Sequence, residues 1–127
     1  MYGLDNRRQT EPSSVIGNPI KSPSEKPKTG RNYYDIKNII SAYGFPTNLD
    51  GSGQCIGMIH LGGGYVTEDL HRYFADLGLN TPDLTSISVD GVQNSPSENN
   101  LDAHVATSIE VVGTVASGAK LVVYKLL

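Results

Sequence analysis

Residues 54–61 read QCIGMIHL, a continuous apolar run bounded by glycines, and Gly62, Gly63 and Gly64 follow it directly. Such a run predicts a strand buried on both faces, central in a parallel sheet. The glycines then allow a tight turn out of the strand. Thr67 stands where a helix N-cap belongs, and Glu68 and Asp69 suit the positive end of the helix dipole. Leu70, Tyr73, Phe74 and Leu77 recur on one helical face, and Gly78 ends the pattern.

The same alternation continues toward the C-terminus. Residues 84–89 (LTSISV) alternate Thr85, Ile87 and Val89 with Ser86 and Ser88, which predicts a half-exposed strand near a sheet edge. A polar loop spans 90–100. A second long helix over 101–116 carries the stripe Leu101, Val105, Ile109, Val112 and Ala116, with Gly118 closing it. Residues 120–127 (KLVVYKLL) form a third strand. Strands alternating with helices imply parallel pairing and crossover helices, an α/β architecture.

Toward the N-terminus, residues 47–53 (TNLDGSG) form a turn. Before it, Ile36, Ile39, Ile40 and Tyr43 predict a short helix over 33–43, stopped by Gly44 and Pro46. Residues 1–31 have almost no apolar periodicity and are dominated by Pro, Ser, Lys, Asn and Gly. They cannot bury enough surface to offset the entropy of ordering, so the sequence predicts a disordered arm or linker there and one domain over 32–127.

The bulk composition excludes several function classes. A formal net charge of −3 argues against a nucleic-acid partner, and the basic residues of the arm are interrupted by Pro, Ser and Glu. A single cysteine, Cys55, rules out an internal disulfide or a cysteine-rich zinc cluster. No apolar run is long enough to span a bilayer, and the first residues contain no signal-peptide core. The composition alone therefore predicts no membrane partner and a cytoplasmic location by default.

Four features invite chemistry. The triple glycine suggests a phosphate loop, yet its spacing matches neither the dinucleotide nor the phosphate-loop pattern, and acidic residues follow at once. His60 lies at the carboxyl end of the first strand, where open α/β sheets place their ligands, although a hydrogen-bonded core histidine is the simpler reading. His104 and Ser108 share one helical face, but a helical serine ordinarily bonds back to the carbonyl four residues earlier. His60, His104 and an acid such as Asp102 could also be read as metal ligands, a weak signal without a third defined ligand. His71, beside Arg72, is predicted to face solvent.

Several segments in order resemble the start of the sedolisin (serine-carboxyl peptidase) catalytic domain, most closely its kumamolisin-like members. They are Ala42-Tyr-Gly-Phe-Pro46, Asp50-Gly-Ser-Gly-Gln-Cys-Ile-Gly-Met-Ile59, Leu61-Gly-Gly-Gly-Tyr65, Tyr73-Phe-Ala-Asp-Leu-Gly78, Ser88-Val-Asp-Gly91, Ile109-Glu-Val-Val-Gly113 and Gly118-Ala-Lys-Leu-Val-Val-Tyr124. The resemblance implies an incomplete subtilisin-like three-layer domain with a partial parallel sheet, and a serine-type endopeptidase ancestry.

The resemblance also implies where catalysis would sit. The family's general-base Glu falls at His104, its supporting Asp at Ser108, and a further Glu of the same hydrogen-bond network at His60. All three acids are replaced. The family's nucleophilic serine, its oxyanion-hole Asp and its calcium site belong to downstream segments with no counterpart in these 127 residues. The expectation is a truncated homologue without catalysis of its own, binding no cofactor, with a peptide or polypeptide as its possible partner. It could instead be a peptide-binding or inhibitory module, or one half of a split peptidase. Residues 1–31 would be a remnant of the family's propeptide linker. The family is usually secreted, against the default from composition. A sheet continuing past the third strand would leave an edge open to self-association.

Overall fold

The computed structural model describes residues 35–97 and 100–126, so the expected arm over 1–31 lies outside the described residues. Six elements follow in order: α1 (Ile36–Ala42), β1 (Cys55–Leu61), α2 (Thr67–Asp76), β2 (Leu84–Ser88), α3 (Asn100–Val115) and β3 (Lys120–Leu126). The predicted alternation of helix and strand is present throughout.

Local chemistry sets most of the boundaries. The Asp35 side chain accepts the Lys37 amide at 2.8 Å and starts α1. Gly44, at φ 67°, ends it in the left-handed region, and the Phe45 amide returns to the Ile40 carbonyl. The start of α2 differs from expectation. Val66 is the N-cap, without a side-chain bond, and Thr67 is already helical. Glu68 and Asp69 occupy the first turn as expected. Leu101 also departs from its predicted stripe: it is 51% exposed, whereas Val105 and Ile109 are buried. It lies in the first turn of α3, against the glycine turn after β1 rather than over the sheet.

The three strands form one parallel sheet in the order β1-β3-β2. This corrects the expectation for β1: among the described residues it pairs with β3 alone instead of lying between two strands. One-residue alternation then decides which side chains share a face. Ile56, Met58 and His60 register with Leu121, Val123 and Lys125, and Leu84, Ser86 and Ser88 with the same three residues of β3. This face meets the helices. Leu70, Phe74, Val105, Ile109, Leu121 and Val123 form its buried centre, with Tyr65 and Ala119 at its ends. The opposite face carries Ile59 and Leu61, 71% and 66% exposed, beside the exposed Ile87 and Tyr124. Thus β1 is half-exposed, not buried on both faces. Helices cover one face among the described residues, so these form two layers around a partial parallel sheet.

Both α2 and α3 contribute to that one core. The connection from β1 to β2 crosses the sheet in one direction, and that from β2 to β3 comes back. With both helices on the same face, the two crossovers have opposite hands. One of them is therefore left-handed, against the usual right-handed rule.

Turns lock the elements together. The Gly118 amide donates to the Asp50 carbonyl at 2.8 Å, which ties the lead into β1 to the turn before β3. Lys37 Nζ donates to the Leu77 carbonyl at 2.6 Å and anchors α1 beside the end of α2.

Candidate functional site

The carboxyl end of β1, the start of α3 and the end of β3 converge on one polar cluster beneath the core. His60 reaches it because it has the same parity as Ile56 and Met58 and so turns toward the helices. His104 reaches it from α3. Their imidazoles meet with ring centroids 5.8 Å apart and planes at 77°. The expected neighbourhood of these two side chains is therefore observed.

His60 is 7% exposed, and its Nε2 has no hydrogen-bond partner. The hydrogen-bonded core histidine considered from sequence is thus only half met. Burial pushes the imidazole below its ordinary pKa, and the charges of His104 and Lys125 push it the same way. A neutral His60 is favoured in the fold.

Ser108 does what a helical serine ordinarily does. Its hydroxyl donates to the His104 carbonyl at 2.8 Å, so its proton is engaged by the backbone and not by an imidazole. His104 and Ser108 share a helix turn, and the serine hydroxyl is directed at the backbone. His71 is exposed, and its Nδ1 lies 2.7 Å from Thr81 Oγ1.

Two charged residues build the floor. Asp102 is 9% exposed, and its carboxylate accepts the amides of Gly64 and Ser97. One side chain thus ties the glycine turn, the loop before α3 and α3 itself. A carboxylate sits where a phosphate loop would hold its anion, which removes the nucleotide reading of the triple glycine. The turn is also too tight for a side chain. A Cβ on Gly64 would stand 2.5 Å from the Pro96 nitrogen, and one on Gly63 2.8 Å from the Leu101 carbonyl. Lys125 is 1% exposed. Its ammonium donates to the Gly63 carbonyl and lies 5.6 Å from the Tyr65 ring centroid. Burial lowers its pKa, and the Asp102 carboxylate opposes that.

Sequence reasoning missed Lys125, although its parity with Leu121 and Val123 places it on the buried face. It also missed Asn94, whose side chain accepts the Tyr65 amide at 3.0 Å and donates to the Tyr65 carbonyl at 2.9 Å. Glu110 was missed too. It faces α2 from α3, and burial, with Asp69 adding to it, raises its carboxyl to about 7. Among the described residues, no group of three or more His, Cys, Asp or Glu side chains is placed to hold a metal ion. Asp102 therefore does not complete a three-residue site with the two histidines. No described helix is long and apolar enough to cross a membrane.

No protein-family model matches the chain. A curated protein does: kumamolisin from Bacillus sp. (strain MN-32) is 40% identical over 128 residues, covering 98% of this chain. Nearly all of the chain is thus similar to part of a sedolisin-family peptidase. The match spans 23% of kumamolisin, so the chain corresponds to under a quarter of its relative's length. Coverage of 98% also carries the similarity into residues 1–31, beyond the stretch of roughly 33 to 125 that suggested it. The helices and the three-stranded parallel sheet make a small α/β domain.

Proposed function

We propose that the chain supplies the β1–α2–β2–α3–β3 portion of a sedolisin-like serine-type endopeptidase domain, and that on its own it does not hydrolyse peptides. The observation that carries this reading is the meeting of His60 and His104, which stand at two of the family's acidic positions, at the carboxyl end of β1. Ser108, at the third, spends its proton on the helix backbone.

A serine peptidase needs a nucleophile, a base within hydrogen-bond reach of it, and donors aimed at the oxyanion. His104 brings an imidazole to the family's base position. The nearest serine on its own helix face is turned away to a carbonyl. The Gly64 amide, which could have served an oxyanion, is held by Asp102. The geometry supports a substrate-side scaffold rather than a complete catalytic centre, with a peptide as the proposed partner and no cofactor.

The test is a peptidase assay from acid to neutral pH on the 127-residue chain and on His104→Glu/Ser108→Asp. No turnover is expected from either protein. Turnover by the unmodified chain that disappears in His104→Ala would overturn the proposal. Saturable binding of a peptide without its cleavage is the result expected of a retained substrate cleft.

A further inference from the structure

We propose that His60 and His104 form a two-histidine site for a divalent transition-metal ion such as Ni²⁺ or Zn²⁺, with water completing the coordination. This inference is independent of the peptidase reading.

Two observations carry it. First, His60 Nε2 is buried and finds no partner, which is costly for a polar atom that could have been satisfied. Second, a second imidazole stands beside it on a different rigid element. The separation suits a shared ion. A ligating nitrogen lies about 2.0–2.1 Å from zinc, so two imidazoles at a tetrahedral angle have ring centres roughly 5 Å apart. Here the centroids are 5.8 Å apart with the ring planes at 77°, so the rings have to turn and close by under about 1 Å to share an ion. Strand β1 and helix α3 fix the two backbones, so little order has to be created on binding.

The surroundings set the limits of the site. Asp102 is committed to the Gly64 and Ser97 amides, and Ser108 to the His104 carbonyl. Neither is a ligand in this arrangement. The Lys125 ammonium donates to the Gly63 carbonyl and lies over the Tyr65 ring, yet Lys125 is the cross-strand partner of His60 and its charge acts on that imidazole, so a bound cation competes with it. Two imidazole nitrogens with water describe a site of modest affinity that prefers ions suited to imidazole over Ca²⁺ or Mg²⁺.

The chain contains three histidines, so His71, exposed on α2, is the natural control. Calorimetric titration of Ni²⁺ into the metal-stripped chain carrying Cys55→Ser should show one ion per chain. His104→Ala should weaken it by about tenfold or more, the scale on which lost metal-site contacts act. His60→Gln should do the same, and His71→Ala should leave it unchanged. Because His104 is only partly buried, its alanine variant is the one expected to fold, with circular dichroism as the check. Absence of binding by the parent chain would overturn the proposal. So would equal affinity in parent and His104→Ala, or loss of binding in His71→Ala alone.

Discussion

Gly113 of α3 leaves the space that the Phe74 ring of α2 fills: a Cβ there would stand 2.6 Å from Phe74 Cζ and 2.9 Å from Pro82 Cγ. Alanine normally improves a helix over glycine by about 1 kcal/mol. Here the ring it would strike is fully buried and cannot retreat. Overpacking of a closed core costs about 1–3 kcal/mol, so the steric term wins. Gly113→Ala should lower stability in a urea titration. An increase would mean that α2 and α3 can separate without loss.

That contact shows what the sequence could and could not convey. The apolar spacing of Leu70 and Phe74, and of Val105 and Ile109, placed both helices because burial of one face is a local property of the chain. Gly113 was legible as a family motif position, but not as the hole for Phe74, since that depends on two helices meeting. The same limit explains β1. Its unbroken apolar run could be read as a strand covered on both sides, yet only the order β1-β3-β2 decides which neighbours and which covering it has. The uncovered edges accordingly lie on β1 and β2 and not beyond β3. Asp102 and Lys125 were opaque for a different reason. Charged residues are expected at the surface, and their burial depends on partners 38 and 62 residues away.

Asp102 should be the most sensitive polar residue of the site. Asparagine keeps one acceptor oxygen but turns an NH₂ toward the second backbone amide, and it removes the charge that faces Lys125. Hydrogen bonds to charged groups contribute about 1.5–3 kcal/mol, and Asp102→Asn should lose an amount of that order. Faster hydrogen exchange at the Gly64 amide would locate the effect. A loss within about 0.5 kcal/mol of zero, as for an ordinary surface change, would show that the carboxylate is not a clamp.

Glu110 should make stability depend on pH. In the fold its carboxyl is raised from 4.5 to about 7, first by burial and then by Asp69 across the helix seam. Tyr73 faces the same seam, and its hydroxyl is raised mainly by burial, with Glu110 and Asp35 adding to that rise. An acid with a raised folded pKa ionises first in the unfolded chain. The contribution of this carboxyl to stability is therefore full below about 4.5, falls as pH rises, and is lost by about 7. His60 acts in the opposite sense, since its lowered pKa weakens the fold as pH drops. Comparing Glu110→Gln with the parent isolates the carboxyl. The difference in denaturation midpoint should favour the variant increasingly as pH rises. A difference that does not change with pH would refute the assignment.

The exposed face of β1 should drive association of the 127-residue chain. Ile59 and Leu61 are 71% and 66% exposed on the side of the sheet away from the helices, next to Ile87 and Tyr124. Fully burying an aliphatic side chain of this size is worth about 1.5–3 kcal/mol, so a second copy covering Ile59 and Leu61, with the smaller exposed parts of Ile87 and Tyr124, would favour association. The outer edge of β1 has no strand partner among the described residues and offers its amides and carbonyls as well. Side chains and edge can be separated experimentally. Ile59→Lys/Leu61→Lys removes the apolar contact and adds repulsion but leaves the β1 backbone as it was. Both residues point away from the core, so the circular dichroism of the variant should match the parent. In sedimentation velocity the parent should associate with rising concentration, and the variant should shift toward monomer. A variant that still associates would assign the contact to the strand edge. A parent that remains monomeric at its highest soluble concentration would show that this face is covered within the chain itself.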